Sequence, residues 1–139
     1  MIAGGNATIY VSNMDAAVRF YSEILGLKLT NRFGNNWATV QAGTTLVVGL
    51  HPWSAKYPRP GTKGAVQLGL FLSPGDSLEA LAERLRTSGV VVSGTIASTE
   101  ANYIHFEDPD GNPIYIGDRN PGVDEAAEAE AVGSSLSPV

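Results

Sequence analysis

The hydrophobic pattern of this chain runs through one order of elements twice. Ala7-Thr8-Ile9-Tyr10-Val11 alternates as a strand does. Ser12-Asn13-Met14-Asp15 supplies capping groups, and a helical stripe follows at Met14, Val18, Tyr21 and Leu25, which Gly26 is placed to end. A strand restarts at Leu27-Lys28-Leu29-Thr30. Gly34-Asn35-Asn36 is a turn, Trp37 to Gln41 a strand, Gly43-Thr44 another turn, and Leu46 to Leu50 a fourth strand. The order then returns. Ala65 to Leu72 is an apolar strand, broken by Ser73-Pro74-Gly75. Asp76 with Glu79 reads as a capping box, and Leu78, Leu81, Ala82 and Leu85 form the stripe of a helix that Gly89 stops. Val90-Val91-Val92 begins a short strand. Ala101 to Phe106 and Pro113 to Gly117 are two more, joined by the turn Asp108-Pro109-Asp110-Gly111-Asn112.

The chain thus carries two βαβββ units, 6–51 and 65–117, about 60 residues apart and longer than common solenoid repeats. The Pro- and Gly-containing stretch 52–64 links them. At 139 residues the chain suffices for one domain or two small halves sharing a core. The expected division is a single domain over 1–118 and an Ala/Glu-rich tail over 119–139.

Composition narrows the chemistry. There is no cysteine, which removes disulfides, thiolate nucleophiles and Cys-based metal sites, and a cytoplasmic setting fits best. No apolar run approaches the ~20 residues that span a bilayer, and the first residues carry no basic start before an apolar stretch, so no membrane is expected. The net charge is −5 at pH 7, with Asp124, Glu125, Glu128 and Glu130 gathered in the tail and every Lys and Arg before it. The body is nearly neutral and shows no basic stripe, so nucleic acid is not an expected partner. No phosphate loop, dinucleotide fingerprint or nucleophile elbow is present.

Strand parity separates two faces. Ile9 and Val11, Ala38 and Val40, Val48 and Leu50, Leu68 and Leu70, Ile104 and Phe106, and Ile114 and Ile116 form a helix-packing face. The other face then carries Asn6, Thr8, Tyr10, Trp37, Thr39, Gln41, Gly49, His51, Gln67, Gly69, Phe71, Tyr103, His105 and Tyr115. It is aromatic and neutral-polar, with no carboxylate, and suits a neutral, partly aromatic ligand held by stacking and a few directed hydrogen bonds. His51 and His105 are the only histidines. Either can act as a base near neutral pH or as a ligand contact. Trp53 and the basic residues after it give the linker the character of a cover over such a face. The Asp108–Asn112 segment reads as turn chemistry.

The paired βαβββ units, the phrase Met14-Asp15-Ala16-Ala17-Val18-Arg19-Phe20-Tyr21 followed by Leu25-Gly26-Leu27, and Phe106-Glu107-Asp108-Pro109-Asp110-Gly111-Asn112 together resemble the vicinal oxygen chelate superfamily over about residues 6–118. That group includes glyoxalase I, methylmalonyl-CoA epimerase, extradiol dioxygenases, fosfomycin-resistance enzymes and metal-free bleomycin-resistance proteins. The resemblance implies an α+β fold in which each unit curls into an open half-barrel with its helix on the convex side. It also implies a pocket on the concave faces, often completed by a second chain. In metal-dependent members the ligands come from four strand positions, which fall here on Asn6, Gly49, Gln67 and Tyr115. None is His, Asp or Glu, so the resemblance is nearest to the metal-free members.

The expectation is a homodimer that binds a small organic molecule, such as an antibiotic or secondary metabolite, with no metal or cofactor. The expected ligand-binding residues are Asn6, Thr8, Tyr10, Trp37, Thr39, His51, Trp53, Gln67, Phe71, Tyr103, His105 and Tyr115. Two alternatives stay open. One is a glyoxalase-like lyase or isomerase using His105 with Tyr103 or Tyr115 as acid and base in place of a metal. The other is a subunit whose concave face binds protein.

Overall fold

The first unit opens with β1 (Ala7–Val11), whose alternate residues Ile9 and Val11 are buried. Asn13 then caps α1 (Met14–Val18), its side-chain oxygen accepting from the Ala16 N–H at 2.9 Å. The helix continues without interruption as a π-helical segment over Arg19–Ile24, where Ser22 Oγ donates to the Val18 carbonyl. The wider turn seats Phe20 and Tyr21 side by side in the core, ring edge to ring face at 5.1 Å. Gly26, at φ +86°, turns the chain out of the helix. β2 (Lys28–Phe33), β3 (Trp37–Ala42) and β4 (Leu46–Pro52) follow. The second unit is β5 (Leu68–Phe71), α2 (Leu78–Thr87), β6 (Ser93–Thr95), β7 (Tyr103–Glu107) and β8 (Pro113–Gly117). The structure, a computed structural model, describes residue 1 and residues 5–55, 66–95 and 102–118. Most of the 52–64 linker and the tail beyond Asp118 lie outside the described residues.

The strands make two four-stranded mixed sheets, ordered β1-β4-β3-β2 and β5-β8-β7-β6. In each, the first strand of the unit pairs parallel with the last, and the remaining pairs are antiparallel. The expected α+β arrangement of two βαβββ units is therefore present, with the units on separate sheets. The buried residues of the helix-packing faces join Met14, Ala17, Val18, Phe20, Tyr21 and Leu25 of the first helical stretch and Leu78, Ala82 and Leu85 of α2 in one core.

Polar ties join the units. Tyr21 Oη donates to Asp108 Oδ2 at 2.6 Å across the core. Asp108 also accepts from the Asp110 and Asn112 backbone N–H groups and from Asn112 Nδ2, so the turn seen in the sequence is built around this buried carboxylate. Burial, with the charges of Asp108 and Asp110, pushes the Tyr21 phenol far above its usual range. Ser12 donates through both its N–H and Oγ to Asp110, and Arg84 of α2 donates to the Glu23 carbonyl at the end of the π-helical segment.

Several boundaries differ from the sequence reading. The cap of α2 is Ser77, whose Oγ accepts from the Ala80 N–H at 3.2 Å, because Asp76 is held in the preceding turn by its N–H to the Ser73 carbonyl. Val90 to Val92 connect rather than pair: the Val90 N–H closes the helix end on the Leu85 carbonyl, and β6 begins at Ser93. β5 starts at Leu68, leaving Val66 and Gln67 before it. No helix among the described residues is long and apolar enough to cross a membrane.

Candidate functional site

The register of the first sheet aligns its non-helical face in rows. Tyr10 of β1 pairs with His51 of β4, and their rings meet edge to face at 5.4 Å. Trp37 of β3 lies next in the row, 6.3 Å from the His51 ring. The adjacent row is polar, with Thr8 paired to Gly49 and Gly49 to Thr39. Gly49 is the key to this face. A Cβ there would fall 2.3 Å from Trp37 Cη2 and 3.0 Å from Thr8 Oγ1, so the indole leans across the sheet into space that only glycine leaves. His51 Nδ1–H donates to the Pro52 carbonyl at 2.8 Å, which fixes the orientation of the ring.

The second sheet repeats the device with different residues. Gly69 of β5 pairs with Tyr115 of β8, and a Cβ on Gly69 would meet the Tyr115 hydroxyl at 2.3 Å. The Tyr115 ring therefore lies over the strand beside it. Its neighbours across β7 are His105, at 6.3 Å, and Tyr103, at 6.1 Å. Phe71 and Tyr103 flank Gly117 in the next row, and both are substantially exposed.

Thr8, Tyr10, Trp37, Thr39 and His51 thus come together on one sheet, and Phe71, Tyr103, His105 and Tyr115 on the other. Thr39 is only 8% exposed, with its hydroxyl 2.6 Å from that of Thr30, so it supports this face more than it presents to it. Asn6 and Gln67 sit just ahead of β1 and β5, outside the paired rows. Asn6 Oδ1 accepts from Thr8 Oγ1 at 3.1 Å. Trp53 lies past the end of β4, exposed, its backbone N–H donating to the Val11 carbonyl. Sequence alternation missed Asn31 and Phe33. They pair with Thr39 and Trp37 on the same face, because β2 carries an irregular register between Leu29 and Asn31. The sequence carries no signal of this shift, which shows only in the pairing: Leu29 and Arg32 both face core residues of β3 although they are three positions apart.

Two hollows, of about 680 and 470 Å³, lie between the units and are lined chiefly by residues of the helix-packing side. Each reaches the aromatic faces at a single candidate residue, His105 in the first and Phe71 in the second. Most residues of the aromatic faces lie outside these two hollows.

The positions that would ligate a metal by resemblance do not supply a donor set. Gly49 has no side chain and its space is filled by Trp37. Tyr115 is laid over Gly69, and Asn6 and Gln67 stand off the strand ends. Among the described residues no three His, Asp or Glu side chains gather within reach of one ion.

TnmS3, an antibiotic-binding protein from Streptomyces sp. CB03234, is 28% identical to this chain, with a TM-score of 0.66 over 84% of this chain and 95% of that one. A glyoxalase/bleomycin resistance protein from the same organism is 29% identical, with a TM-score of 0.61 over 81% and 99%. Lactoylglutathione lyase from Agrobacterium tumefaciens, at 18% identity and a TM-score of 0.63 over 83% and 92%, shares the fold. No curated protein matches the chain. The family model described as Glyoxalase/Bleomycin resistance protein/Dioxygenase superfamily matches residues 5–116, and the chain belongs to that superfamily.

Proposed function

We propose that this protein binds a small, neutral, aromatic organic molecule, of the antibiotic or secondary-metabolite class, on its aromatic sheet faces, without a metal and without transforming it. The observation that carries this reading is the indole of Trp37 occupying the space above Gly49, in line with His51 and Tyr10. A position that would hold a metal ligand is given over to an aromatic surface, with Thr8 beside it to direct a hydrogen bond. The likeness to an antibiotic-binding protein supports the same reading. A second copy of the chain would cover these open faces, so the active species is proposed to be a homodimer.

The test is native mass spectrometry before and after Zn²⁺, Ni²⁺ or Mn²⁺, with a titration of the tryptophan fluorescence by 2-naphthol. The expected result is no stoichiometric metal and saturable quenching that Trp37→Ala abolishes. One tightly held metal per chain, or no saturable binding, overturns the reading.

A second reading is favoured by one observation, the pairing of Tyr115 with His105 on the same face of adjacent strands. There His105 is an acid or base and Tyr115 or Tyr103 orients a substrate. It requires a turnover that survives chelators and collapses in His105→Ala.

A further inference from the structure

The irregular register in β2 decides which side chain ends the aromatic row of the first sheet. Leu29 pairs with the buried Val40, and Arg32 with the buried Ala38, so both sit on the helix side. Arg32 reaches Asp15 at the start of α1 from there. Thr30 is the extra residue between them, its hydroxyl against that of Thr39. The shift brings Phe33 opposite Trp37 on the aromatic face. Had the Leu29 register simply continued, Arg32 would stand beside Trp37 and Phe33 would point to the helix side.

Phe33 is 63% exposed. A lone exposed phenylalanine is ordinary; one in register with three rings is a different matter. Tyr10, His51, Trp37 and Phe33 form one line across all four strands, spanning about 14 Å at the usual inter-strand spacing. Because the Trp37 indole leans inward over Gly49, the outer end of the line is left to Phe33.

We infer that Phe33 is a specificity-determining residue: it sets the length of planar ligand that this face holds, by giving a third fused ring a surface beyond Trp37. This rests on the ligand-binding reading above. The probes are phenol, 2-naphthol and 2-hydroxyanthracene, which present one, two and three fused rings with the same hydroxyl. Their affinities are measured by equilibrium dialysis against the unaltered protein, Phe33→Ala and Phe33→Trp. Affinity should rise along the series for the unaltered protein. In Phe33→Ala the three-ring probe should weaken by about tenfold, the upper end of one aromatic contact, while the shorter two stay within about twofold. Phe33→Trp should restore the three-ring probe. An equal loss for all three probes, or none, overturns the inference while leaving the ligand-binding reading in place. A change in sedimentation with an unchanged dependence on ring number also overturns it, by assigning Phe33 to a contact between copies. If no probe binds the unaltered protein saturably, the ligand-binding reading itself fails.

Discussion

At the scale of single residues, Tyr21 is the side chain whose chemistry reaches furthest. It is fully buried, and its hydroxyl supplies one of the donors that satisfy the Asp108 carboxylate. Tyr21→Phe keeps the ring and removes the donor, leaving a buried charged acceptor one bond short. The expected loss is about 2 kcal/mol of unfolding free energy by urea titration. The phenol also gives the fold an alkaline limit. Its pKa in the folded protein lies above the unfolded value, so the unfolded chain loses this proton first as pH rises. The contribution is fully present below the unfolded value of about 10 and falls as pH climbs past it. Urea midpoints measured from pH 8 to 11 should therefore decline more steeply for the parent protein than for Tyr21→Phe. Parallel curves would show that Tyr21 does not govern this limit.

At the scale of elements, the caps give a sharp test. Ser77 holds the first turn of α2, and Asp76 belongs to the turn before it. Ser77→Ala should cost about 1 kcal/mol, and Asp76→Ala less than about 0.5, by urea denaturation. The reverse order would place the cap where the sequence alone put it. Much of the core is legible in the sequence. Alternation placed Ile9, Val11, Val40, Leu50, Ile104 and Ile116 in the core, because the side-chain period of a strand is fixed by the backbone itself. The stripe at Met14, Val18, Tyr21 and Leu25 identified a helix and its buried face, since all four are buried, but a 3.6-residue period carries no mark of the wider turn in its second half. The shift in β2 was hidden because a bulge is a property of a pair of strands. Leu29, Thr30 and Asn31 do not state which residues of β3 they will face. For the same reason Trp37 and His51 were legible as members of one face, whereas the nesting of the indole over Gly49 depended on side-chain direction.

At the scale of the whole molecule, the two units share a core, and ties through Tyr21, Ser12 and Arg84 bind them, yet each keeps its own open aromatic sheet. Phe71 and Tyr103 leave large apolar surface on the second of those faces. Covering it is the argument for a second copy. Sedimentation velocity across a range of concentrations should show a dimer, and the double variant Phe71→Ser with Tyr103→Ser should shift it toward monomer. A monomer at every concentration would instead mean that each face meets its ligand uncovered.

The one-residue shift at Thr30 also bears on how such a face diversifies. A substitution changes one side chain, but a register running on unbroken from Leu29, with Thr30 taken into the ladder, would turn over the outer half of β2. Phe33 would go under toward the helix, and the Arg32 guanidinium would emerge beside Trp37, abandoning Asp15. A neutral aromatic border would become a cationic one, with the composition of the chain unchanged. The bulge is thus what keeps this border neutral: loss of the Thr30 codon would leave Phe33 opposite Trp37, and only a pairing that absorbs Thr30 into the ladder would turn the face toward anionic molecules.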